Sequence, residues 1–291
     1  MTRRHSQVLL VWVVLLFSAF SRAQDHAVVI LPVANMYSSA SEDADVVSQA
    51  ILGTNVSLLE SHGDWAKVRT PDQYNGWIQL STVRKANGSG DYGSSTPTVQ
   101  VNSLAANLYR ETDVTAHKPV MTAPFESRLE LIGEGTGDDG RWLKVRLPDQ
   151  TVAWIQSGDV IRDPKPLSIA ESIDLAKRFL GITYLWGGRS SFGYDCSGFT
   201  QMLERSRGIN MPRDADLQAA WDGVVAIDRK DLQAGDLLFF GSSAASITHT
   251  GMFIGNGEFI HDTVHGHPGV QISRLEDEPW TRILVACRRI K

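Results

Sequence analysis

The stretch Phe192-Gly193-Tyr194-Asp195-Cys196-Ser197-Gly198-Phe199-Thr200-Gln201 decides how this chain is read. It follows a Gly-rich run, Gly187-Gly188-Arg189-Ser190-Ser191, and leads into Phe199, Met202 and Leu203 at helical spacing. Asp195 is a preferred N-cap residue, so the spacing predicts a helix from Cys196 to about Arg207, stopped by Gly208. The Cys196 sulfur then lies in the first helical turn. Unpaired N–H groups and the macrodipole favour negative charge there, so a thiolate is expected over a thiol. A thiolate at the mouth of a loop is a nucleophile. A lone cysteine is more commonly buried and structural, and the histidines downstream argue for the nucleophile.

The surroundings read as a mixed domain. Ser168 and Glu171 form a capping box, and Ile169, Ile173, Ala176 and Leu180 follow at helical spacing. A third short helix is expected from Asp214. Strand candidates are 236–240, 250–254, 258–261, 270–273 and 283–288. Helices followed by an antiparallel sheet make an α+β domain.

A cysteine nucleophile needs a base, and the base needs a partner on its other ring nitrogen. His249 opens one strand, Gly255-Asn256-Gly257 is a turn, and Glu258-Phe259-Ile260-His261 returns antiparallel. Such a hairpin can bring His249 and His261 together, although the sequence leaves its register open. His265 and His267 stand in a Gly/Pro-containing loop and read as surface residues. Cys287 reads as a core thiol on the final strand, and two cysteines are too few for a disulfide framework. A zinc site built from Cys196, His249 and His261 is the competing chemistry. The placement of Cys196 behind Asp195 at a helix start favours the nucleophile.

The N-terminal half repeats itself. Trp65-Ala66-Lys67-Val68-Arg69-Thr70-Pro71-Asp72-Gln73 matches Trp142-Leu143-Lys144-Val145-Arg146-Leu147-Pro148-Asp149-Gln150, and Trp77-Ile78-Gln79 matches Trp154-Ile155-Gln156. A weaker echo pairs Asn35-Met36-Tyr37 with Asn107-Leu108-Tyr109. The constant offset indicates a duplicated all-β unit, expected as a small barrel. The copies span 27–85 and 99–163. The polar Gly/Ser-rich segment 86–98 joins them as a flexible linker, and Asp163-Pro164-Lys165-Pro166 is a stiffer joint.

Residues 1–23 read as a secretory signal peptide. Arg3 and Arg4 precede an apolar run from Val8 to Phe20, too short to span a membrane comfortably, and Ser21-Arg22-Ala23 ends it. The chain is expected to be exported, to the periplasm or the cell wall. The whole chain has 28 Lys+Arg against 33 Asp+Glu, and without the three arginines of residues 1–23 its net charge is −8, 25 against 33. That balance argues against a broad nucleic-acid-binding surface and against electrostatic attachment to anionic wall polymers.

Asp195-Cys196-Ser197-Gly198-Phe199, His249-Thr250-Gly251-Met252-Phe253-Ile254-Gly255 and Phe259-Ile260-His261 resemble the three motifs of the NlpC family of bacterial cell-wall cysteine endopeptidases. Tyr184-Leu185-Trp186-Gly187-Gly188 and Ala234-Gly235-Asp236-Leu237-Leu238-Phe239-Phe240 fit the same pattern, and the resemblance covers residues 168–291. Gly63-Asp64-Trp65-Ala66-Lys67-Val68 and Gly76-Trp77-Ile78 resemble bacterial SH3-like domains. The second copy departs from them at Arg141 and Ala153. The resemblance implies a papain-like catalytic domain behind two SH3-like barrels. It makes Cys196 the nucleophile, His249 the base and His261 its orienting partner. Tyr184 would assist at the oxyanion, and Asp195 and Ser197 would hold the substrate peptide. Ala215 stands where a serine often follows Asp214, which puts one substrate hydrogen bond in question.

Paired SH3-like domains before this domain resemble the γ-D-glutamyl-L-diamino acid endopeptidases. There the first SH3-like domain restricts substrate to stem peptides with a free N-terminal L-Ala. Glu60, Asp64, Tyr37 and Tyr74 are the candidates for meeting that terminus here. The expected partner is a peptidoglycan stem peptide, acted on by a monomer without cofactor or metal. The alternatives are a wall-anchored amidase or hydrolase acting on intact polymer, and a wall-binding module with an inactive catalytic domain.

Overall fold

The structure is a computed structural model describing residues 25–86 and 91–291; the expected signal peptide lies outside the described residues. The first unit is one antiparallel sheet. Its strands are β1 (His26–Val29), β2 (Val33–Tyr37), β3 (Val46–Ile51), β4 (Asn55–His62), β5 (Trp65–Arg69), β6 (Asn75–Gln79) and β7 (Val83–Lys85). They lie in the order β3-β2-β6-β5-β4-β1-β7. Period-two burial drives it: Ala66 and Val68 of β5 face the core while Trp65, Lys67 and Arg69 face outward.

The second unit has β8 (Thr98–Val101), β9 (Ala105–Leu108), β10 (Met121–Pro124), β11 (Arg128–Glu134), β12 (Trp142–Arg146), β13 (Val152–Gln156) and β14 (Val160–Arg162). Five strands form the sheet β13-β12-β11-β8-β14, and β9 and β10 pair separately. Matching sequence gives matching local geometry. Tyr37 meets Trp65 edge-on at 5.3 Å, as Tyr109 meets Trp142 at 5.4 Å. Gln73 and Gln150 both take positive φ, 67° and 76°, in their Pro-Asp-Gln turns. Among the described residues no strand pair closes either sheet, so the expected barrels are open. The free edge of β3 is used elsewhere: Gln49 accepts the Arg189 backbone N–H at 3.0 Å.

The third unit has α1 (Ile169–Lys177), β15 (Arg189–Ser190), β16 (Gly193–Tyr194), α2 (Cys196–Ser206), α3 (Ala215–Ala220) and β17 (Val224–Ala226). It continues with β18 (Leu237–Ser243), β19 (Ser246–Gly255), β20 (Glu258–Thr263), β21 (Gly269–Arg274), α4 (Trp280–Ile283) and β22 (Leu284–Ile290). The sheet order is β17-β22-β18-β19-β20-β21, all antiparallel. Both capping-box bonds form at α1, Glu171 N–H to Ser168 Oγ at 3.3 Å and Ser168 N–H to Glu171 Oε2 at 2.8 Å. Residues 178–180 tighten into a final turn of i to i+3 bonds, so α1 ends before Leu180. Helix α2 is buried from Cys196 to Glu204. Cys287 is a free thiol in a second apolar cluster with Leu238 and Phe240. Among the described residues, no helix is long and apolar enough to cross a membrane.

The units interlock. Leu52 of the first joins the core of the second, and Phe125 of the second joins the core around α1 and α2, 5.4 Å from Phe179. Arg205 of α2 forms a two-pronged bond with Glu126, at 3.0 and 2.6 Å. The described part of the linker is pinned. Tyr92 exchanges bonds with Asn55 at 2.9 and 3.0 Å and accepts the Glu130 N–H at its hydroxyl at 3.0 Å. Composition alone led to a flexible tether; four tertiary hydrogen bonds, the fourth from the Tyr92 hydroxyl to the Arg146 carbonyl, hold Tyr92 instead.

Candidate active site

The site is built around the start of α2. Asp195 is extended, at φ −99° and ψ 177°, and its Oδ1 accepts the Gly198 N–H at 2.7 Å. A Cβ on Gly198 would stand 2.2 Å from the Gly188 carbonyl oxygen, so only glycine lets the helix start pack against the Gly-rich loop. The Asp195 carboxylate is further occupied. Gly187 N–H donates to Oδ2 at 3.0 Å, and Arg213 grips both oxygens at 2.9 and 2.6 Å. Ser197 Oγ donates to Asp195 at 3.2 Å and accepts from Arg213 at 2.8 Å. The side chains of Asp195 and Ser197 thus hold the loop together, and the expected substrate-holding role of both has to compete with these internal bonds.

Arg213 is the hub that sequence reading missed. It is buried, and its remaining bonds go to the Gly188 carbonyl at 3.2 Å and to Ser48 Oγ of the first sheet at 3.3 Å. Its planar fork fits the carboxylate as an ammonium would not. A second cross-unit plug lies beside it. Asp72, from the first Pro-Asp-Gln turn, accepts from Gln201 of α2 at 2.9 Å, and Arg189 donates to Gln201 at 3.0 Å. Burial alone would raise the Asp72 carboxyl, but Arg189, Thr70 and Gln201 together hold it below its usual value. No local pattern marks either residue, because their partners are remote in sequence.

The histidines come from the β19–β20 hairpin. Met252 pairs with Ile260, which places Gly251 beside His261; a Cβ there would lie 2.9 Å from the His261 Cβ. The missing side chain lets the two rings meet: His249 Nε2 lies 2.7 Å from His261 Nδ1, and His261 Nε2 lies 2.9 Å from Ser273 Oγ. Two proton arrangements satisfy both contacts, and general-base chemistry requires one of them. His249 Nε2–H donates to His261, His261 Nε2–H donates to Ser273, and His249 Nδ1 stays free to accept a proton. The two nitrogens face each other at hydrogen-bond distance and do not converge on a shared metal, which disfavours the zinc reading. Trp280 covers the pair, 5.3 Å from His249 at 31° and 4.7 Å from His261 at 86°. His265 is exposed and touches the same indole at 5.3 Å, while His267 is exposed in the loop.

The backbone amides of Thr250, the residue next to His249, and of Ser197 face the Cys196 sulfur and favour its charged form. The expected thiolate is not the resting form. Burial, then the neighbouring Asp195 charge, pushes the Cys196 thiol up to about 12, against the two amides. Burial pushes His249 down to about 3. The helix terminus therefore loses to desolvation, and the resting pair is neutral thiol and neutral imidazole. Proton transfer must accompany attack. Alkylation of Cys196 by iodoacetamide is accordingly expected to be slower at pH 7 than for a free cysteine of pKa about 8.5. Its rate should climb with pH through pH 10, because only the thiolate reacts and a raised pKa moves that form upward. A pH-independent rate between 6 and 9 would show a preformed thiolate.

Tyr184 bridges to Tyr194 beside the nucleophile, and burial, then Cys196 and Asp195, raise its hydroxyl well above the usual value. It stays a donor. Of the four first-unit candidates, Tyr74 reaches the site. Its hydroxyl faces Asp214, and burial, then Asp214, pushes it up to about 12. Burial likewise raises the Asp214 carboxyl. Among the described residues the other three make no side-chain hydrogen bond to the catalytic unit, although Tyr37 pairs with Val46, which packs against Gly187. Tyr37 packs on Trp65, Glu60 is exposed opposite Lys67, and Asp64 shares a hollow with Trp65, Glu42 and Gln79.

Comparison with known proteins agrees with this geometry. Residues 181–289 match the NlpC/P60 family, 36–83 the bacterial dipeptidyl-peptidase SH3 domain, and 94–160 the GW (Gly-Tryp) dipeptide domain. A Bacillus subtilis gamma-D-glutamyl-L-lysine dipeptidyl-peptidase is 31% identical over 264 residues, 85% of this chain and 82% of that protein. A Bacillus cereus protein of the same description is 34% identical over 229 residues, and the match spans 66% of its length. The crystal structure of a Bacillus cereus NlpC/P60 family protein superposes with a TM-score of 0.78 at 27% identity, covering 91% of this chain and 99% of that one. With a buried cysteine at a helix start, a hydrogen-bonded histidine pair on the adjoining sheet and these relatives along most of its length, the chain belongs to the NlpC/P60 family of cysteine peptidases.

Proposed function

We propose that the protein is an exported cysteine endopeptidase that cuts the γ-D-glutamyl-L-diamino acid bond of peptidoglycan stem peptides carrying a free N-terminal L-Ala. The observation that carries the chemistry is a buried cysteine at a helix start, acted on by the amide of Thr250, the residue next to His249, together with the His249–His261–Ser273 hydrogen-bond chain. The relatives' named activity supports the choice of bond. Tyr74 of the first unit meeting Asp214 at the site's edge supports an end-reading role for residues 27–85.

His249 Nδ1 takes the Cys196 proton as the sulfur attacks the γ-carbonyl carbon of D-Glu. The oxyanion accepts from the Cys196 backbone N–H and the Tyr184 hydroxyl. Imidazolium His249, oriented by His261, then gives its proton to the departing amine of the diamino acid. Water, deprotonated by His249, hydrolyses the thioester and frees L-Ala-γ-D-Glu.

The test incubates the protein without residues 1–23 with L-Ala-γ-D-Glu-L-Lys, its diaminopimelate counterpart and their N-acylated forms, with products read by mass spectrometry. Recognition of a buried ammonium predicts at least about 30-fold preference for the free terminus, the lower end of what a lost buried charge contact costs. Equal rates on acylated peptides, or faster cleavage of intact wall, would favour the wall-anchored hydrolase.

A further inference from the structure

Asp262 follows His261 in β20, and no step above uses it. Strand alternation turns it to the face opposite His261, the face on which Ile260 joins the core beneath α2. Its carboxyl group is completely buried, and neither oxygen has a hydrogen-bond partner in full geometry among the described residues.

Its surroundings belong to the catalytic turn. The backbone amides of Tyr194 and Thr263 approach it, and Asp195 is the charge that acts on it most strongly. Asp262 acts in turn on the hydroxyls of Tyr184 and Tyr194. From the start of α2 the neighbouring ionisable groups are Asp195 and Cys196; from the bridged strands, Tyr184 and Tyr194. The nearby cation, Arg213, is spent on Asp195, Ser197, Gly188 and Ser48. His261 points to the other face, and the register partner Val270 is apolar.

A carboxyl group out of water, beside an anion and without a cation, keeps its proton. Resting on the acyl-transfer reading above, we propose that Asp262 is a positioning residue that, as a neutral acid buried on the α2 face of β20, lets the catalytic turn pack over it, and that its ionisation disables the site. Ionised, its charge makes the Tyr184 hydroxyl a worse partner for a second anion and repels the negative charge forming on the oxyanion. Both effects have the same sign. Burial and then Asp195 push the carboxyl up to about 8, which puts the transition within reach of an assay.

The experiment compares the wild type with Asp262→Asn and Asp262→Ala. At saturating stem peptide, wild-type kcat is expected to fall as pH rises through about 8. Asp262→Asn, which cannot ionise, should lose that fall. Asp262→Ala should lose about 100-fold at every pH, the scale of a slightly misplaced catalytic group, with Asp262→Asn recovering part of it. Difference infrared spectroscopy on wild type against Asp262→Asn reads the carboxyl titration with no substrate present. An identical alkaline fall in Asp262→Asn, or no carboxyl titrating in the wild type above pH 6, overturns the proposal. If no stem peptide is cleaved at all, the function proposed above fails while the infrared titration still decides Asp262.

Discussion

Cys196→Ala is expected to abolish hydrolysis of stem peptides, by about 10⁴-fold or more, while leaving the fold intact. The sulfur is the nucleophile at the start of α2 that the Thr250 amide acts on, and nothing else in the site can form the thioester. His249→Ala should be as damaging, because the resting thiol holds its proton tightly and has no other acceptor. The double variant should be no worse than either single one, since the two act as a unit. His261→Ala should be milder, because it loses only the orientation of His249. Turnover by mass spectrometry and folding by near-ultraviolet circular dichroism check these outcomes. Substantial activity in Cys196→Ala, with its loss in Cys287→Ala, would move the nucleophile to the other thiol.

The second large effect is on stability. Arg213→Ala leaves the Asp195 carboxylate buried against Gly187 and Gly198 without its counter-ion, and strips partners from Ser197, Ser48 and the Gly188 carbonyl. Breaking a buried pair from one side costs about 3–5 kcal/mol. The helix start that presents Cys196 should loosen with it, so turnover falls too. Arg213→Lys should recover little, because one ammonium cannot reach both Asp195 oxygens, Ser197, Gly188 and Ser48. Urea unfolding at pH 7 reads the loss. A Lys variant with the wild-type midpoint would mean that charge alone, and not the fork, holds the loop.

What was legible in the sequence was local. The Ser168 capping box, the Asp195 N-cap, the two Pro-Asp-Gln turns and the strand periods depend on residues within a few positions of one another, and each stands in the structure. So does the hairpin that carries His249 and His261, although its register needed Gly251 and the cross-strand ladder. The short β15, β16, β17 and α4 went unread, being too brief to show a period. Only the tertiary structure decided the rest. Arg213 reaches Ser48 across 165 positions, and Asp72 meets Gln201 across 129, so no window of sequence contains both partners. Tyr74, unlike Glu60 and Asp64, reaches the site because the first sheet lays β3 along β15. The charge state of Cys196 was misjudged for the same reason. A helix terminus is written in the sequence around Asp195, whereas burial is the sum of everything packed over the sulfur, and desolvation outweighs the dipole.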